Sequence, residues 1–251
     1  MLLILIFFAC HWYGSLFFQT FLYHRYGAHE MFTMHPWTEK VFIFFAWVFT
    51  GSSYILIGPY VIMHRLHHAF TDTELDPHSP KYDKNIWRMM WHTREVYYKI
   101  NKGEYPVDPK FKKNVPGWPW FEKNIGNSWI SRIVWGTFYI LVYLFAHFYL
   151  GASWWWFLLL PIHFLMAPFH GAIINWFAHT IGQKRFTMND TSTNIVPVDL
   201  VMLAEAYHNN HHKYPARPNF GIKWYEIDPV YPFIKLFHWM RIIKLKPIKT
   251  T

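Results

Sequence analysis

Four uncharged stretches of the chain are long enough to cross a membrane, and three of them predict membrane-spanning helices. Residues 1–23 contain no Asp, Glu, Lys or Arg. As an α-helix they would reach about 34 Å, which exceeds the roughly 30 Å hydrocarbon core of a bilayer. Residues 133–150 and 153–174 are also apolar and are joined by the short link Gly151-Ala152-Ser153. This pattern predicts a retained membrane anchor at residues 1–23 and a transmembrane hairpin formed by the later pair.

Basic residues flank these apolar stretches. Of the 24 Lys and Arg, 11 lie in residues 63–128 and 10 in residues 179–251, and the formal net charge is +9. By the positive-inside rule, both of these polar regions are cytoplasmic. Basic residues beside apolar segments favour an anionic membrane surface as the partner and argue against nucleic acid.

Histidine is unusually abundant, with 17 residues against 15 Asp and Glu together, and four motifs contain nine of the histidines. The motifs are His24-Arg-Tyr-Gly-Ala-His29, His64-Arg-Leu-His67-His68, Asn175-Trp-Phe-Ala-His179 and His208-Asn-Asn-His211-His212. On a helix, positions i, i+3 and i+4 share one face, so each HxxHH motif points three imidazoles toward one place. His24 and His29 would diverge by about 140° on an ideal helix. They meet only if the helix loosens near Gly27, and otherwise they bind two different metals.

The clustering of these side chains predicts a metal site. Nine neighbouring imidazoles are costly to bury unless a metal binds them, and imidazole suits iron, zinc, copper and nickel. Nine ligands exceed what one metal takes, so we expect two metals with four or five ligands each. Packing or hydrogen-bonding roles are expected for the histidines outside the motifs, except His78, which receives no role. These are His11, His35, His92, His147, His163, His170 and His238.

If all nine histidines meet, they lie on one side of the membrane. The first stretch crosses once and the hairpin returns, so residues 41–62 must begin and end on the same side. Their interruptions at Gly51-Ser52-Ser53 and Gly58-Pro59 suit an interfacial or re-entrant helix packed against protein. The expected fold is therefore all-α, with about three full transmembrane helices and one interfacial or re-entrant helix. Residues 63–128 are cytoplasmic, and residues 175–251 form a cytoplasmic helical cap that holds the di-metal site.

The order of the motifs and their surroundings resemble the integral-membrane fatty acid desaturases. The second motif is followed by Thr71-Asp72-Thr73-Glu74-Leu75-Asp76-Pro77-His78, and the last is preceded by Glu205-Ala206-Tyr207. Within that family the chain is most similar to the acyl-CoA Δ9 (stearoyl-CoA type) group, in a short bacterial-like form without a fused cytochrome b5. The resemblance covers residues 1 to about 215, and residues 1–251 are expected to form a single desaturase domain.

The resemblance implies an O2-dependent di-iron enzyme that inserts a cis double bond, at Δ9, into a long saturated acyl chain carried on CoA or lipid. It implies an external electron donor of ferredoxin, rubredoxin or cytochrome b5 type, and it favours a bacterial inner membrane over the endoplasmic reticulum. Zinc can occupy the same ligands in purified protein. The implied iron ligands are His24, His29, His64, His67, His68, His179, His208, His211 and His212, with Asn175 binding through a water.

The chain departs from the animal members of that family in two respects. Only one span fits before His24, where animal members have two. The residues just ahead of His64, Gly58 to Met63, are apolar, whereas animal enzymes contact the CoA head group there with basic or amide side chains. The residues ahead of His64 therefore lack the contacts by which animal members bind CoA.

Supporting residues can also be predicted. The candidates to orient the histidines by hydrogen bonding are Asp72, Asp76, Glu205 and Glu74. On the first helix, Tyr13, Phe17 and Thr20 lie 11, 7 and 4 residues before His24 and therefore share its face. We expect these three side chains to line a narrow substrate tunnel.

Two other functions fit part of the pattern. A membrane di-iron hydroxylase or ketolase of lipids or carotenoids would use the same oxidant, although relatives of that kind space their histidines differently. A non-enzymatic metal transporter would also concentrate histidines. Transporters, however, place ligands near mid-membrane, whereas here the motifs lie at the ends of apolar segments.

Overall fold

The first apolar stretch forms one long helix whose hydrogen-bond pattern changes part-way. The computed structural model describes residues 1–247. In it, α1 (Leu2–Phe18) continues without a break into a π-helical segment, Gln19–Ala28. Together they form a 27-residue apolar helix that is long enough to cross a membrane. The predicted first span therefore corresponds to a helix of spanning length that extends five residues further, to Ala28.

A second helix of spanning length is α6. Between α1 and α6 the chain forms α2 (Pro36–Thr50), α3 (Ile57–Phe70), α4 (Ile86–Lys102) and the single-turn α5 (Pro119–Phe121). The α6 helix runs from Trp129 to Leu150. It begins where the Ser128 hydroxyl accepts a hydrogen bond from the Ser131 N–H, and it ends at Gly151 in the left-handed conformation. Both are favoured helix boundaries.

The predicted interfacial stretch, residues 41–62, lies in a bent pair of helices. The helical run Pro36–Ser53, which is α2 followed by the 3-10 turn Gly51–Ser53, meets α3 at an angle of 85°. The α2 helix thus ends at Gly51, where the sequence indicates an interruption, and the bend follows between Ser53 and Ile57. Gly58 and Pro59 do not interrupt the helix, because they lie in the first turn of α3, where proline is tolerated.

The second arm of the predicted hairpin, residues 153–174, is not one straight helix. A 3-10 segment, Trp154–Leu159, leads into α7 (Leu160–Phe164). After a 75° bend come α8 (Met166–Ala172) and a π-helical turn, Ile173–Phe177.

Pro168 explains this bend. It has no N–H for the carbonyl of Phe164, and its ring would clash with that carbonyl in a continuous helix. The Ala167 N–H, freed at the bend, donates to the Ser53 hydroxyl at 3.2 Å. The described residues contain two candidate membrane spans, or up to four if each bent pair counts as one span.

The remaining elements surround the polar part of the chain. They are the 3-10 turn Pro109–Lys112, the π-helical turn Glu122–Gly126, α9 (His208–Lys213) and α10 (Tyr231–Trp239). A small antiparallel sheet pairs β1 (Phe32–Met34) with β2 (Ile243–Leu245). The structure is therefore mostly helical as predicted, but not all-α, since this sheet ties the C-terminal region to the segment just after the first helix.

Gly51 provides a test of the bend between α2 and α3. Its φ of 54° and ψ of −125° suit only glycine, and an added Cβ would overlap the Tyr139 hydroxyl. We expect Gly51→Ala to lower the free energy of unfolding by about 3 kcal/mol or more, from strain and overlap together. Gly103→Ala is the control, because Gly103 also has a positive φ but has no atoms near its Cβ position, and should cost about 1 kcal/mol. Denaturant unfolding in detergent measures both, and equal losses would contradict this account.

Candidate metal centre

The π-helical segment brings His24 and His29 together. In a π-helix each N–H bonds to the carbonyl five residues earlier, and the His29 N–H donates to the His24 carbonyl at 3.0 Å. Residues five apart then share a face, and the two imidazole centroids are 4.9 Å apart. Of the two alternatives that the spacing leaves open, the structure shows the loosened helix, with both rings in one group. The loosening begins at Gln19 rather than at Gly27.

The nine histidines of the motifs form two neighbouring groups. Within each group, one ligand atom per side chain lies within 4.8 Å of all the others. The five-histidine group consists of His24, His29, His64, His68 and His211. The four-histidine group consists of His67, His179, His208 and His212. Each HxxHH motif is divided between the groups, because the i and i+4 imidazoles join one group and the i+3 imidazole joins the other.

The spacing of the facing nitrogens fits bound metal ions. In the five-histidine group the Nε2 atoms of His29 and His64 are 2.9 Å apart, and those of His24 and His211 are 3.0 Å apart. In the four-histidine group the Nε2 atoms of His179 and His208 are 3.0 Å apart. Two nitrogens bound to one metal at about 2.0–2.1 Å lie about 2.9 Å apart at a right angle and about 3.4 Å apart at a tetrahedral angle. The donor set therefore suits one metal in each group.

Carboxylates accept hydrogen bonds from the Nδ1 atoms of two of these imidazoles, on the side of the ring away from the facing Nε2 atoms. The Nδ1 atom of His24 donates to Glu205 at 2.9 Å, and that of His67 donates to Asp76 at 3.0 Å. A proton fixed on Nδ1 leaves the Nε2 lone pair free for a metal. Of the predicted orienting residues, Glu205 and Asp76 thus lie directly behind a histidine.

The other two carboxylates predicted for this role do not contact a histidine. The Asp72 carboxylate accepts hydrogen bonds from the Ser79 hydroxyl and from the N–H of Thr191, whose own hydroxyl lies 3.1 Å from Nδ1 of His179. Asp72 therefore acts through the loop that carries Thr191. Glu74 is exposed to solvent.

Asp190 is an orienting carboxylate that the sequence does not reveal. Its side chain lies 3.2 Å from Nδ1 of His212. It is placed by an irregular loop rather than by a helix, so no spacing rule connects it to the motif.

Two asparagines position α9, which has only six residues and is too short to be stable alone. Asn209 and Asn210 are each 1% exposed. The Asn209 side chain accepts from the N–H groups of Arg185 and Phe186, and the Asn210 amide donates to the Phe220 carbonyl. The two residues between the histidines of the last motif therefore anchor the helix that carries them.

The imidazoles of α9 are held in the form that binds metal. Burial, reinforced by repulsion from neighbouring imidazoles, lowers the pKa of His208, His211 and His212 well below its usual range. They are therefore neutral at physiological pH, as metal ligation requires.

A cavity reaches both groups from the side of α8. Its wall includes Thr20, Tyr60, Gly171 and Asn175, together with His24, His64 and His208. Asn175 comes from the π-helical turn that follows α8 and thus lies beside the histidines without belonging to either group.

Only one of the three predicted tunnel residues lines this cavity. Thr20 does, whereas Tyr13 is 41% exposed and Phe17 stacks on Phe21. Leu16 and Gln19 take their place in the wall. The π-helical segment explains this difference. It puts more residues in the turn between residue 19 and His24, so the positions of the first helix that face the cavity are shifted by one residue.

His78 is a residue for which the sequence suggests no role. It is 3% exposed, and neither ring nitrogen has a hydrogen-bond partner. Its ring lies 4.4 Å from that of His67, and it forms a third potential metal group with His67 and Asp76. His78 also lines the cavity and is thus part of the site. The signal that could have identified it is its place in the Asp76-Pro77-His78 string.

The sequence model of the fatty acid desaturase family matches residues 1–237. The chain belongs to this family. The predicted resemblance is thereby confirmed.

Several curated relatives have Δ9 desaturase names. Delta-9 acyl-lipid desaturase 2 of Arabidopsis thaliana is 28% identical over 226 residues, which cover 87% of this chain and 66% of the relative. Delta-9 desaturase-like 4 protein of Arabidopsis thaliana is 27% identical, covering 89% of this chain and 69% of the relative. The sn-1 stearoyl-lipid 9-desaturase of Synechocystis is 26% identical, covering 90% and 66%. The desaturase thus spans about two thirds of the length of these relatives.

The two directly bonded carboxylates allow the two groups to be tested separately. We expect Asp76→Asn to weaken metal binding at the four-histidine group, and Glu205→Gln to weaken it at the five-histidine group, each by about 10- to 100-fold. Titration of the purified, metal-free protein with Co²⁺ against a chelator measures both affinities. Glu74→Gln, which alters an exposed carboxylate in the same loop as Asp76, is the control. An equal effect of the Glu74 and Asp76 variants would contradict the assigned contacts.

Proposed function

We propose that this family member is an O2-dependent di-iron desaturase that inserts a cis double bond at Δ9 of a long saturated acyl chain. The observation that carries the proposal is the pair of adjacent histidine groups, of five and four imidazoles, facing one cavity. A membrane setting for the site agrees with the two helices of spanning length.

The five-histidine and four-histidine groups would each hold one iron. Two irons supplied with O2 and electrons furnish an oxidant strong enough to remove hydrogen from an unactivated CH2–CH2 unit. Imidazole ligands suit that task because, unlike thiolates, they are not themselves oxidised to sulfenic or sulfinic acids. We assign the electrons to an external donor of ferredoxin, rubredoxin or cytochrome b5 type.

The protein's own residues position the substrate and the ligands. Leu16 and Tyr60 in the cavity wall would hold the acyl chain against the histidines and exclude water. Asn175 would hold a water beside the four-histidine group. Glu205 and Asp76 keep their histidines in the tautomer that leaves Nε2 free.

We favour a lipid as the acyl carrier over CoA. The relatives include proteins named acyl-lipid and stearoyl-lipid desaturases. In addition, the residues leading into His64 are apolar and offer no cluster that would bind the phosphates of CoA. The basic residues of 63–128 and 179–251 favour a cytoplasmic site.

Lipid analysis of a host expressing the protein tests the function. We expect new cis-Δ9 monoenes by gas chromatography–mass spectrometry of derivatised lipids, and their loss in His208→Ala with the protein still inserted in the membrane. His92→Ala, outside both groups, is the control and should retain the product. Hydroxylated or keto products would instead assign the hydroxylase function, and unchanged lipids would leave metal transport as the remaining candidate.

The cavity wall makes a second prediction about chain length. Leu16→Ala widens the cavity and should change the preferred acyl chain length. Phe17→Ala removes an aromatic ring that packs outside the cavity, so it should lower stability but leave the product profile unchanged. The same lipid analysis measures both, and a changed profile in the Phe17 variant alone would contradict the shifted face of the first helix.

A further inference from the structure

His170, on α8, is a buried histidine outside the four motifs, and one of its ring nitrogens has no hydrogen bond. The residue is 2% exposed and lines the cavity. Its Nδ1 atom lies 2.8 Å from Nε2 of Gln19, which also lines the cavity and donates to the Ser15 hydroxyl at 3.1 Å. The Nε2 atom of His170 has no partner among the described residues.

The contact with Gln19 fixes the tautomer of His170. An amide nitrogen only donates hydrogen bonds, so Nδ1 of His170 accepts, and the single proton of the neutral imidazole lies on Nε2. The unpartnered group is therefore an N–H donor. The Trp12 ring, 4.5 Å away and perpendicular to the imidazole, offers at most a weak N–H···π contact, which does not replace an oxygen acceptor.

A buried donor of this kind favours a ligand that brings an acceptor to it, because a buried polar group without a partner is costly. The substrate of the proposed function has acceptors only at its carboxyl end, since the rest of a saturated acyl chain consists of CH2 and CH3 groups. The acyl carbonyl oxygen is therefore the substrate atom that suits the Nε2–H of His170.

The position of His170 along the chain suits that carbonyl. His170 lies nine residues before His179, which is at most about 14 Å along a helix. Eight C–C bonds separate the carbonyl carbon from C9, and at about 1.5 Å each they span at most about 12 Å. These lengths are similar, so a chain bound at His170 reaches the histidine groups near C9. His78, the other cavity histidine outside the motifs, lies 4.4 Å from the His67 ring and is too close to them for a carbonyl site.

Gly171 leaves an opening in the wall beside His170. It lines the same cavity and is partly exposed. Apart from its neighbours in the helix, the nearest atom to its Cβ position is the Asn175 amide nitrogen, 3.9 Å away. Phe169, on the other side of His170, is 37% exposed. The part of the substrate beyond the carbonyl can therefore leave the cavity next to His170.

We propose that the Nε2–H of His170 binds the ester carbonyl oxygen of the acyl lipid and thereby fixes the distance from the carboxyl end at which the double bond forms. Gln19 is a positioning residue, because it holds His170 in the donor tautomer. The inference rests on the proposed function, since it assigns a contact to the substrate of that reaction. It also predicts a binding preference that needs no turnover.

Binding of a matched pair of lipids to the zinc-loaded protein tests the contact. 1-Stearoylglycerol carries the ester carbonyl, whereas 1-octadecylglycerol has an ether-linked CH2 in its place. Isothermal titration calorimetry in detergent measures the Kd of each. We expect the wild type to bind the ester about 3- to 10-fold more tightly, as one hydrogen bond between neutral groups provides.

Variants of His170 locate the origin of this preference. His170→Phe keeps a ring but removes the donor and should bind both lipids equally. His170→Gln retains an N–H donor and should keep part of the preference, and Phe169→Leu, which alters a side chain outside the cavity, should keep all of it. Equal affinities in the wild type, or a preference unchanged in His170→Phe, would overturn the inference. The wild-type comparison decides the question even if His170→Phe does not fold.

Two further measurements separate the carrier and the reaction from the contact. If the wild type binds ester and ether equally but His170→Phe loses affinity for stearoyl-CoA, the contact belongs to a thioester carbonyl and the lipid ester is contradicted. In an expressing host, His170→Phe should give monoenes at more than one position, and exclusively Δ9 monoenes would contradict the inference. A wild type with the ester preference but without new monoenes would contradict the proposed function and leave the carbonyl site.

Discussion

The i→i+5 hydrogen bonding of residues 19–28 is the constraint on which the site depends. On an α-helix the side chains of His24 and His29 would point about 140° apart. In the π-helical segment both imidazoles lie on one face. The same change of pitch decides which side chains of α1 line the cavity. The π-helix is rare and occurs most often at functional sites, because its poorer backbone geometry must be offset by packing and ligation.

Arg25 shows how that segment is held. Its guanidinium is fully buried, donates to the Thr20 hydroxyl and to Asp228 at 2.8 Å, and lies 3.9 Å from the centre of the Phe220 ring. The Asp228 carboxylate also accepts from the N–H groups of Phe220 and Val230. A buried ion pair needs such additional hydrogen bonds to offset the hydration that both partners lose. Here they join the π-helical segment to the chain beyond α9, next to His24 and His211.

Local patterns predicted much of this molecule. The uncharged runs identified both long helices, Gly51 marked the end of α2, and the HxxHH spacing placed three imidazoles on one face of α3 and three on one face of α9. Long-range contacts were not predictable in the same way. The pairing of β1 with β2 joins two three-residue strands about 200 residues apart, which carry no periodic signal. Predicting the bend near Pro168 requires knowing where α7 ends, because the proline lies four residues after that point. Asp190 contacts His212 only because an irregular loop places it there.

The division of each HxxHH motif links the two histidine groups mechanically. Positions i+3 and i+4 differ by about 100° around a helix, so His67 and His68 lie on either side of one ridge of α3, as do His211 and His212 on α9. Each of these helices therefore contributes to both groups, and the separation of the two groups is set by how α3 and α9 pack. The bonds of Asn209 and Asn210 fix α9, and the Asp76 carboxylate fixes His67 on α3. A displacement of either helix would alter both groups at once, which explains why the short α9 is anchored by buried side-chain hydrogen bonds.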